Sequence, residues 1–360
     1  MSIFAKLNEQ KQNEHNQQLA IPDHIQDEYR YLIEMPSFIQ DYIMSRIALG
    51  FSKATIQRYL YDYKYFFDYV KHATGEKDLQ MSEISLDDFI EIDQKGVENY
   101  IQHLSLYAEN NAKTVNRKLS ALKSLFDYLK QRNLVSTNPV EGIERPKVAK
   151  RDPIYLQRDE YTELLSFILS DEGLTIRQRP FHERFKKRDV AIIHMLIMTG
   201  VRISELCRIR VKDLNRIDKE ITVTGKGNKQ RTIPLSEGTL EMIDEYVQSI
   251  PNYARPKHAE ESLFIGFDFT TKAYKNNVTI NAIQKMIQRH IKRAKKHLPF
   301  LAYKPITAHK LRHSFATELV YRGVDVLTVQ NLLGHESVAT TQIYAHVQKD
   351  MKKKAVSLLD

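Results

Sequence analysis

Three prolines close together divide this sequence into two parts and limit how far any helix can run. Pro139, Pro146 and Pro153 fall within fifteen residues. Proline lacks a backbone N–H and pushes the residue before it out of the helical region. We therefore predict an extended linker over residues 145–154, with a separate domain on either side. This linker is basic, and its cations are Arg145, Lys147, Lys150 and Arg151.

The part before the linker has the spacing of amphipathic helices. Residues 1–30 are rich in glutamine, asparagine and charge, and we treat them as an N-terminal extension. Over residues 31–144, apolar residues recur every three or four positions, which predicts a helical domain. Ser52, Ser85 and Thr114 are typical of helix starts, and Gly50 is typical of a helix end. Most aromatic residues of these helices are expected in the core, with base stacking as the alternative.

The last predicted helix of this domain has a basic side. Its apolar positions account for one face, and the cations lie on the other. A solvated face and contact with DNA phosphates both explain such charges. The cations are Lys113, Arg117, Lys118 and Lys123.

The part after the linker, residues 155–346, has helical patterns around a short β-type segment. A helix is predicted over residues 158–169, followed by a polar, basic loop or surface insertion over 171–188. Asp189 is then expected to cap an apolar helix that ends at Gly200. Almost every position of that helix is hydrophobic, which predicts burial on most sides.

Two β-type runs, residues 221–224 and 231–235, flank a stretch that contains glycine and asparagine. These residues tolerate positive φ, so we predict a β-hairpin with Lys226 at its turn and a third strand near residues 263–265. The resulting fold class is mainly α with a small antiparallel β-sheet, in two domains. A further helix over residues 279–296 carries cations suited to phosphate contact, among them Lys285, Arg289, Lys292 and Arg293.

Composition narrows the class of partner and the compartment. The net charge of +9 favours a polyanionic partner, with nucleic acid ahead of a membrane surface. A single cysteine, Cys207, excludes an intramolecular disulfide framework and a cysteine-based zinc site. The polar N-terminus has no signal-peptide pattern, and no apolar run is long enough to span a bilayer. We therefore expect a cytoplasmic protein.

Several residues could serve phosphate chemistry, although each has an ordinary explanation when taken alone. Arg202 follows a corner at the end of the apolar helix, and Glu205 is placed to orient it through a charge-assisted hydrogen bond. Lys226 on a turn is usually a solvated lysine, and a histidine after a glycine is usually the first residue of a helix. The remaining candidates are His309, Arg312, His335 and Tyr344. The histidines lack companion carboxylates at metal-ligand spacing, so no metal site is predicted.

Taken together and in order, these residues resemble the active site of the tyrosine recombinase (phage-integrase-like) family. The matching text is TGVRISEL at 199–206, GKGNK at 225–229, HKLRHSFAT at 309–317, LLGH at 332–335, and Tyr344. The helical N-terminal part is similar to the family's core-binding (SAM-like) domain. The polar insertion after residue 170 and the extended N-terminus are most similar to the XerS single-recombinase branch of the Xer proteins.

The resemblance implies a role for each of the six positions. Tyr344 would attack a DNA phosphodiester, which leaves a 3′-phosphotyrosyl link and a free 5′-hydroxyl. Arg202 and Arg312 would stabilise the charge of the transition state, and His335 would donate a further hydrogen bond to the same phosphate. Lys226 would protonate the leaving oxygen, and His309 would assist proton removal from the tyrosine or hold the phosphate. Neither a metal nor another cofactor is required.

The same resemblance implies an assembly. The two domains would form a C-shaped clamp on duplex DNA that carries an inverted-repeat recombination site. A homodimer would occupy one site and a homotetramer the synaptic pair, with residues 347–360 docking as a tail into a neighbouring protomer. The expected role is to resolve chromosome dimers before cell division, with a septal DNA translocase as a further partner.

Three other functions are compatible with the same residues. The first is an integrase or excisionase of a mobile element, which uses the same recombination chemistry. The second is a type IB topoisomerase, which would relax DNA that lacks any specific site. The third is a non-catalytic DNA-binding protein on this fold, and intact residues at all six positions disfavour it.

Overall fold

The structure is a computed structural model that describes residues 21–149 and 154–334. The chain divides into two compact units between Lys150 and Arg151. Both are built mainly from helices, which confirms the predicted fold class, and the second holds two small antiparallel sheets where the sequence predicts one. Among the described helices, none is long and apolar enough to cross a membrane.

The first unit is entirely helical over its described residues. Its helices are α1 (Asp23–Glu28), α2 (Ser37–Ala48), α3 (Lys53–Thr74), α4 (Leu86–Ile90), α5 (Gln94–Gln102) and α6 (Ala112–Gln131). A π-helical turn, His103–Tyr107, continues α5.

Side-chain caps start these helices where the sequence indicates. The hydroxyl oxygen of Ser52 accepts from the backbone N–H of Thr55 at 3.2 Å, at the start of α3. Ser85 caps α4 in the same way. The α6 helix begins at Ala112, two residues before Thr114, because Asn111 is its cap.

The core of the first unit is aromatic. Tyr42, Tyr63 and Phe126 are fully buried, which confirms that most aromatic residues here are core rather than exposed stacking groups. Buried phenols need partners, and two of them find one between helices. The hydroxyl of Tyr42 lies 2.7 Å from that of Ser124, and Tyr63 donates to the carbonyl of Ala121 at 2.9 Å.

The second unit is arranged around one long central helix. Its helices are α7 (Arg158–Leu169), α8 (Arg179–Thr199), α9 (Ile203–Leu206), α10 (Glu237–Ser249), α11 (Ile280–Ala294), α12 (Ala308–Tyr321) and α13 (Val326–Leu333). The apolar half of α8 packs against α7, α10 and α12. Burial on all these sides explains why almost every residue from 190 to 199 is hydrophobic.

The prediction of a loop over residues 171–188 is wrong for its second half. The central helix α8 starts at Arg179, so Asp189 lies inside the helix and is not its cap. The Asp189 carboxylate is buried and accepts hydrogen bonds from Arg188 at 2.9 Å, His290 at 2.9 Å and Arg289 at 3.1 Å. Burial opposes its charge, but the charges of Arg188 and Arg289 and the hydrogen bond with His290 hold the pKa of Asp189 below the usual range. The polar sequence therefore belongs to the surface-lying first turns of a long helix.

The β-hairpin is confirmed, but its third strand lies elsewhere. Strands β2 (Glu220–Thr224) and β3 (Gln230–Pro234) are antiparallel, with Val223 opposite Arg231. The third strand is β1 (Leu214–Asn215), which pairs with β2. Residues 263–265 are instead buried core, because their consecutive apolar side chains fill space on both sides. A separate two-stranded sheet follows, formed by β4 (Gly266–Asp268) and β5 (Ala273–Lys275).

Candidate active site

A tight corner at the end of α8 places two of the predicted site residues. Gly200 has φ of 61°, in the left-handed region, and a Cβ there would lie 2.4 Å from the Phe315 ring and 2.8 Å from Leu333. Only glycine fits such a position. The Gly200 carbonyl accepts a hydrogen bond from Nη1 of Arg312, and the corner leads directly to Arg202. The corner thus joins the end of α8 to α12 and α13.

Glu205 orients Arg202, as its spacing suggests. The Glu205 carboxylate is buried and accepts from the backbone N–H and from Nη1 of Arg202, both at 2.8 Å. Nη1 and Nη2 of Arg231 also reach it, at 3.0 and 2.8 Å. Burial opposes the charge, but the hydrogen bonds from Arg231 and Arg202 lower the pKa of Glu205 to about 2. Glu205 is therefore ionised at neutral pH, and this stabilisation is lost only as pH falls below about 4.5 toward 2.

Three arginines converge on the C-terminal end of α13. Arg231 Nε donates to the carbonyl of Leu332 at 2.9 Å, and Arg312 Nη2 donates to that of Leu333 at 2.6 Å. Arg202 Nη2 donates to the carbonyl of Gly334 at 2.9 Å. The last carbonyls of a helix lack intrahelical partners and carry partial negative charge, so cations satisfy and stabilise them. The sequence-predicted Arg202 and Arg312 are thereby brought to one place.

The two arginines differ in exposure. Arg312 is buried, whereas the side chain of Arg202 keeps 40% of its surface exposed. Planar guanidinium groups can bind phosphate with more than one N–H at once. An exposed guanidinium held from behind by Glu205 and the end of α13 is suited to bind an anion that arrives from solvent.

His309 lies in the first turn of α12, one turn before Arg312. Its Nε2 lies 3.0 Å from Nε2 of His313, and the two rings meet edge to face. Loss of water around the ring, together with the charges of Arg312 and Lys310, lowers the pKa of His309. His309 is therefore neutral at physiological pH and able to accept a proton.

The backbone places Lys226 at the hairpin turn, as predicted. Lys226–Asn228 form the turn between β2 and β3, with positive φ at Gly227 and Asn228. The N–H of Gly225 donates to the carbonyl of Lys229 at 2.8 Å and closes the turn. A Cβ on Gly225 would lie 3.4 Å from Oε1 of Glu205, so the residue before Lys226 packs on the cluster around Arg202.

His335 and Tyr344, together with the tail at residues 347–360, lie outside the described residues. His335 directly follows Gly334, whose carbonyl is bound by Arg202. In the sequence, therefore, His335 directly follows the helix end that the arginines hold, and Tyr344 comes ten residues after Gly334.

Several predicted DNA contacts of the first unit have partners within that unit. Arg117 pairs with the buried Asp62, and Lys118 lies 3.7 Å from the same carboxylate. The Lys118 ammonium also lies 3.5 Å from the centre of the Tyr65 ring. Lys123 pairs with Asp127, and Arg145 donates to Ser120. Lys113 and Lys147 are exposed. Lys150 and Arg151 lie outside the described residues.

The basic helix of the second unit divides by role. Lys285 and Lys292 are exposed on α11, and Arg289 is exposed while it pairs with Asp189. Arg293 instead donates to the carbonyls of Phe167 at 2.9 Å and Ile168 at 3.2 Å, and so caps the end of α7. The DNA-facing role of these residues stays a prediction, and Arg293 has in addition a clear structural one.

Two further chemistries have little support in the described residues. Cys207 is half-buried, and burial raises the pKa of its thiol to about 11, which suppresses the reactive thiolate. In the part of the chain that the structure describes, no three histidine, cysteine or carboxylate side chains are grouped to hold a metal ion.

Sequence reasoning missed Arg231. It is the only charged residue in the run from Arg231 to Leu235, and an isolated charge beside buried strand positions was the available signal. Its partner Glu205 was assigned to Arg202 alone, whereas the structure shows that the carboxylate serves both arginines.

Comparison with known proteins identifies the family. The family model described as "Phage integrase family" matches residues 155–351, and "Phage integrase, N-terminal SAM-like domain" matches residues 37–133. Tyrosine recombinase XerC of Caldanaerobacter subterraneus subsp. tengcongensis is 34% identical over 319 residues, which cover 85% of this chain and 81% of XerC.

Solved structures show the same fold at lower identity. XerH site-specific recombinase bound to difH substrate aligns with a TM-score of 0.60 and 23% identity, covering 86% of this chain and 80% of that one. The Tn1549 transposon integrase in complex with circular intermediate DNA aligns with a TM-score of 0.62 and 20% identity, covering 86% and 95%. The chain belongs to the phage integrase family of tyrosine recombinases.

Proposed function

We propose that this protein is a site-specific DNA recombinase that cuts and rejoins duplex DNA through a 3′-phosphotyrosyl intermediate. The observation that carries the proposal is the convergence of Arg202 and Arg312 on the end of α13, the helix that leads into His335 and Tyr344. Membership of the tyrosine recombinase family and similarity to XerC support the same activity.

The chemistry follows from the groups and their placement. Oη of Tyr344 attacks the scissile phosphorus, and the bond to the 5′ oxygen breaks. The guanidinium groups of Arg202 and Arg312 stabilise the added negative charge on the non-bridging oxygens, and His335 donates to the same phosphate. Lys226 gives its proton to the leaving 5′ oxygen, and the neutral His309 receives the proton of the tyrosine. The phosphotyrosyl bond keeps the energy for rejoining, so no nucleotide cofactor is consumed.

For the biological role we propose resolution of chromosome dimers in the cytoplasm before cell division, which fits the similarity to XerC. The alternative is integration or excision of a mobile element, which uses the same recombination chemistry. The XerS branch is proposed within the first role. Its support is the sequence insertion after residue 170, of which residues from Arg179 onward form the start of α8.

Trapping the covalent intermediate tests the activity. The protein is incubated with nicked genomic fragments, in which loss of a short strand prevents rejoining, and the attached DNA is sequenced. We expect one recurrent inverted-repeat sequence, cleaved at a fixed spacing. Digestion of the adduct is expected to yield a nucleotide-linked peptide that contains Tyr344. Adducts spread over unrelated sequences would favour a type IB topoisomerase, and no adduct at all would favour a non-catalytic DNA-binding protein.

The same sequencing tests the branch. In a single-recombinase system, this chain is attached to one strand in some recovered copies of the site and to the other strand in the remaining copies. Attachment to only one strand of each site would show that a second recombinase cleaves the other, and would contradict the XerS assignment.

We further propose that a homodimer binds one site, that a homotetramer forms the synaptic complex, and that a septal DNA translocase acts on it. The apolar residues Val356, Leu358 and Leu359 near the end of the sequence are suited to dock on a neighbouring protomer. Deletion of residues 347–360 is expected to abolish cooperative assembly in gel-shift and sedimentation measurements, while binding to a single half-site is kept. Loss of half-site binding itself would contradict a purely intermolecular role for the tail.

A further inference from the structure

The ion pair between Arg231 and Glu205 links three segments that carry or precede predicted catalytic residues. These segments are the hairpin with Lys226, the corner that leads to Arg202, and the end of α13. Arg231 is on β3, in the strand that returns from the turn with Lys226, and its side chain is 14% exposed. It binds both carboxylate oxygens of Glu205, at 3.0 and 2.8 Å, in the two-pronged geometry that only arginine provides.

Two glycines, Gly225 and Gly334, lie close to this ion pair. A Cβ on Gly225 would lie 3.4 Å from Oε1 of Glu205, and Gly225 immediately precedes Lys226. A Cβ on Gly334 would lie 3.1 Å from Nη1 of Arg231, and Gly334 immediately precedes His335. At both positions, the space between the backbone and the pair is therefore about that of a single added carbon.

Further hydrogen bonds of the cluster reach α13 and the backbone of Arg202. Arg231 Nε donates to the carbonyl of Leu332 at 2.9 Å, and Glu205 receives the backbone N–H of Arg202 at 2.8 Å. The cluster therefore connects the hairpin to α13 and to the corner before α9. A surface ion pair would not make these connections, and Glu205 is 3% exposed.

We propose that Arg231 is a positioning residue, which holds the hairpin against the Arg202–Glu205 cluster so that Lys226 reaches the leaving 5′ oxygen. This inference rests on the proposed recombinase activity. The β2–β3 ladder fixes the two strands to each other, and Val223 and Ile233 hold them in the core, but neither attaches the turn end of the hairpin to the Arg202–Glu205 cluster. Arg231 supplies that attachment, and it needs the fork of arginine, because lysine cannot bind both carboxylate oxygens and the Leu332 carbonyl together.

The chemistry of the leaving group distinguishes a role of Arg231 in positioning Lys226 from a role in binding the phosphate. With an ordinary phosphodiester, the 5′ oxygen leaves as an alkoxide that must be protonated, and proton transfer from Lys226 accelerates the step. With sulfur in place of the bridging 5′ oxygen, the group leaves as a thiolate, which is stable near neutral pH without a proton. A defect in delivering the proton therefore disappears on the sulfur substrate, whereas a defect in binding the phosphate does not.

Single-turnover cleavage of both substrates tests the proposal, once trapping has identified the site. For Arg231→Lys we expect a loss of roughly 10- to 100-fold on the ordinary substrate, within the range of general acid catalysis. On the sulfur substrate the rate should return close to that of the wild type, as it should for Lys226→Ala. Arg231→Gln should show the same pattern as Arg231→Lys on the two substrates. Thermal unfolding of each variant checks that it is folded.

Two comparisons complete the design. Arg210→Lys is the matched control, because Arg210 makes an exposed ion pair with Glu260 in the same unit, and its cleavage of both substrates should equal that of the wild type. Arg202→Ala should remain defective on the sulfur substrate. Equal losses for Arg231→Lys on both substrates, or no loss on either, would overturn the inference. Failure of the wild type to cleave would overturn the proposed function, and this inference with it.

Discussion

Replacing Tyr344 by phenylalanine is expected to abolish the covalent protein–DNA adduct while binding to the recombination site is kept. Phenylalanine preserves the ring and removes only the hydroxyl oxygen, which is the attacking atom. Affinity for duplex DNA comes mainly from contacts of basic groups with phosphates, and these are unchanged. Adduct formation on a suicide duplex is measured by denaturing gel, and affinity by gel shift under the same salt conditions. No adduct should be detectable for the variant.

Tyr303→Phe is a suitable control for this experiment. Tyr303 is 93% exposed and lies in the same unit, so removal of its hydroxyl should leave adduct formation unchanged. An adduct of normal yield from Tyr344→Phe would identify another residue as the nucleophile. Loss of binding together with cleavage would instead assign Tyr344 a structural role.

Arg312→Lys is expected to lower the cleavage rate by roughly 10²- to 10³-fold, the range seen when a preorganised donor to a transition state is removed. Arg312 is buried and donates to the carbonyls of Gly200 and Leu333. A lysine keeps the charge but cannot reproduce the planar arrangement of donors. The charge near the phosphate is retained, so DNA affinity should change only a few-fold.

Arg322→Lys makes the same substitution at the end of the same helix. Arg322 forms an exposed ion pair with Glu318 at 2.6 Å, and exposed pairs contribute about 0–1 kcal/mol to stability. Cleavage by this control should therefore match the wild type. Thermal unfolding of both variants separates loss of fold from loss of chemistry. Arg312→Lys with at least half of the normal rate would show that the fork of donors is not needed.

Local signals in the sequence were sufficient for most of the fold. Helix caps such as Ser52 act within one turn, and apolar periodicity reports which face is buried. The hairpin around Lys226 was likewise visible in its turn residues. Prediction failed at Asp189, where a carboxylate typical of a helix start is buried inside α8. Its partners Arg289 and His290 lie about a hundred residues later, and no local pattern reports such a pairing.

In the candidate site, too, local patterns could be predicted from the sequence and contacts between distant residues could not. Arg202, Glu205 and Arg312 were found through the family pattern and the three-residue spacing that one helix turn allows. Arg231 was missed, because its partners are a carboxylate 26 residues before it and a carbonyl 101 residues after it. Side-chain hydrogen bonds to backbone carbonyls depend on where a helix ends in space. Residue types alone do not encode that position.

The end of α13 is recognised through its backbone, since all three arginines bind carbonyl oxygens. These hydrogen bonds therefore do not depend on which side chains residues 332 and 333 carry, provided that those side chains pack. They depend instead on where each carbonyl lies around and along the axis of α13. One inserted residue in α13 would rotate every following carbonyl by about 100° about the helix axis and move it along that axis. In this part of the molecule, the number of residues in a helix carries information that elsewhere is carried by their identity.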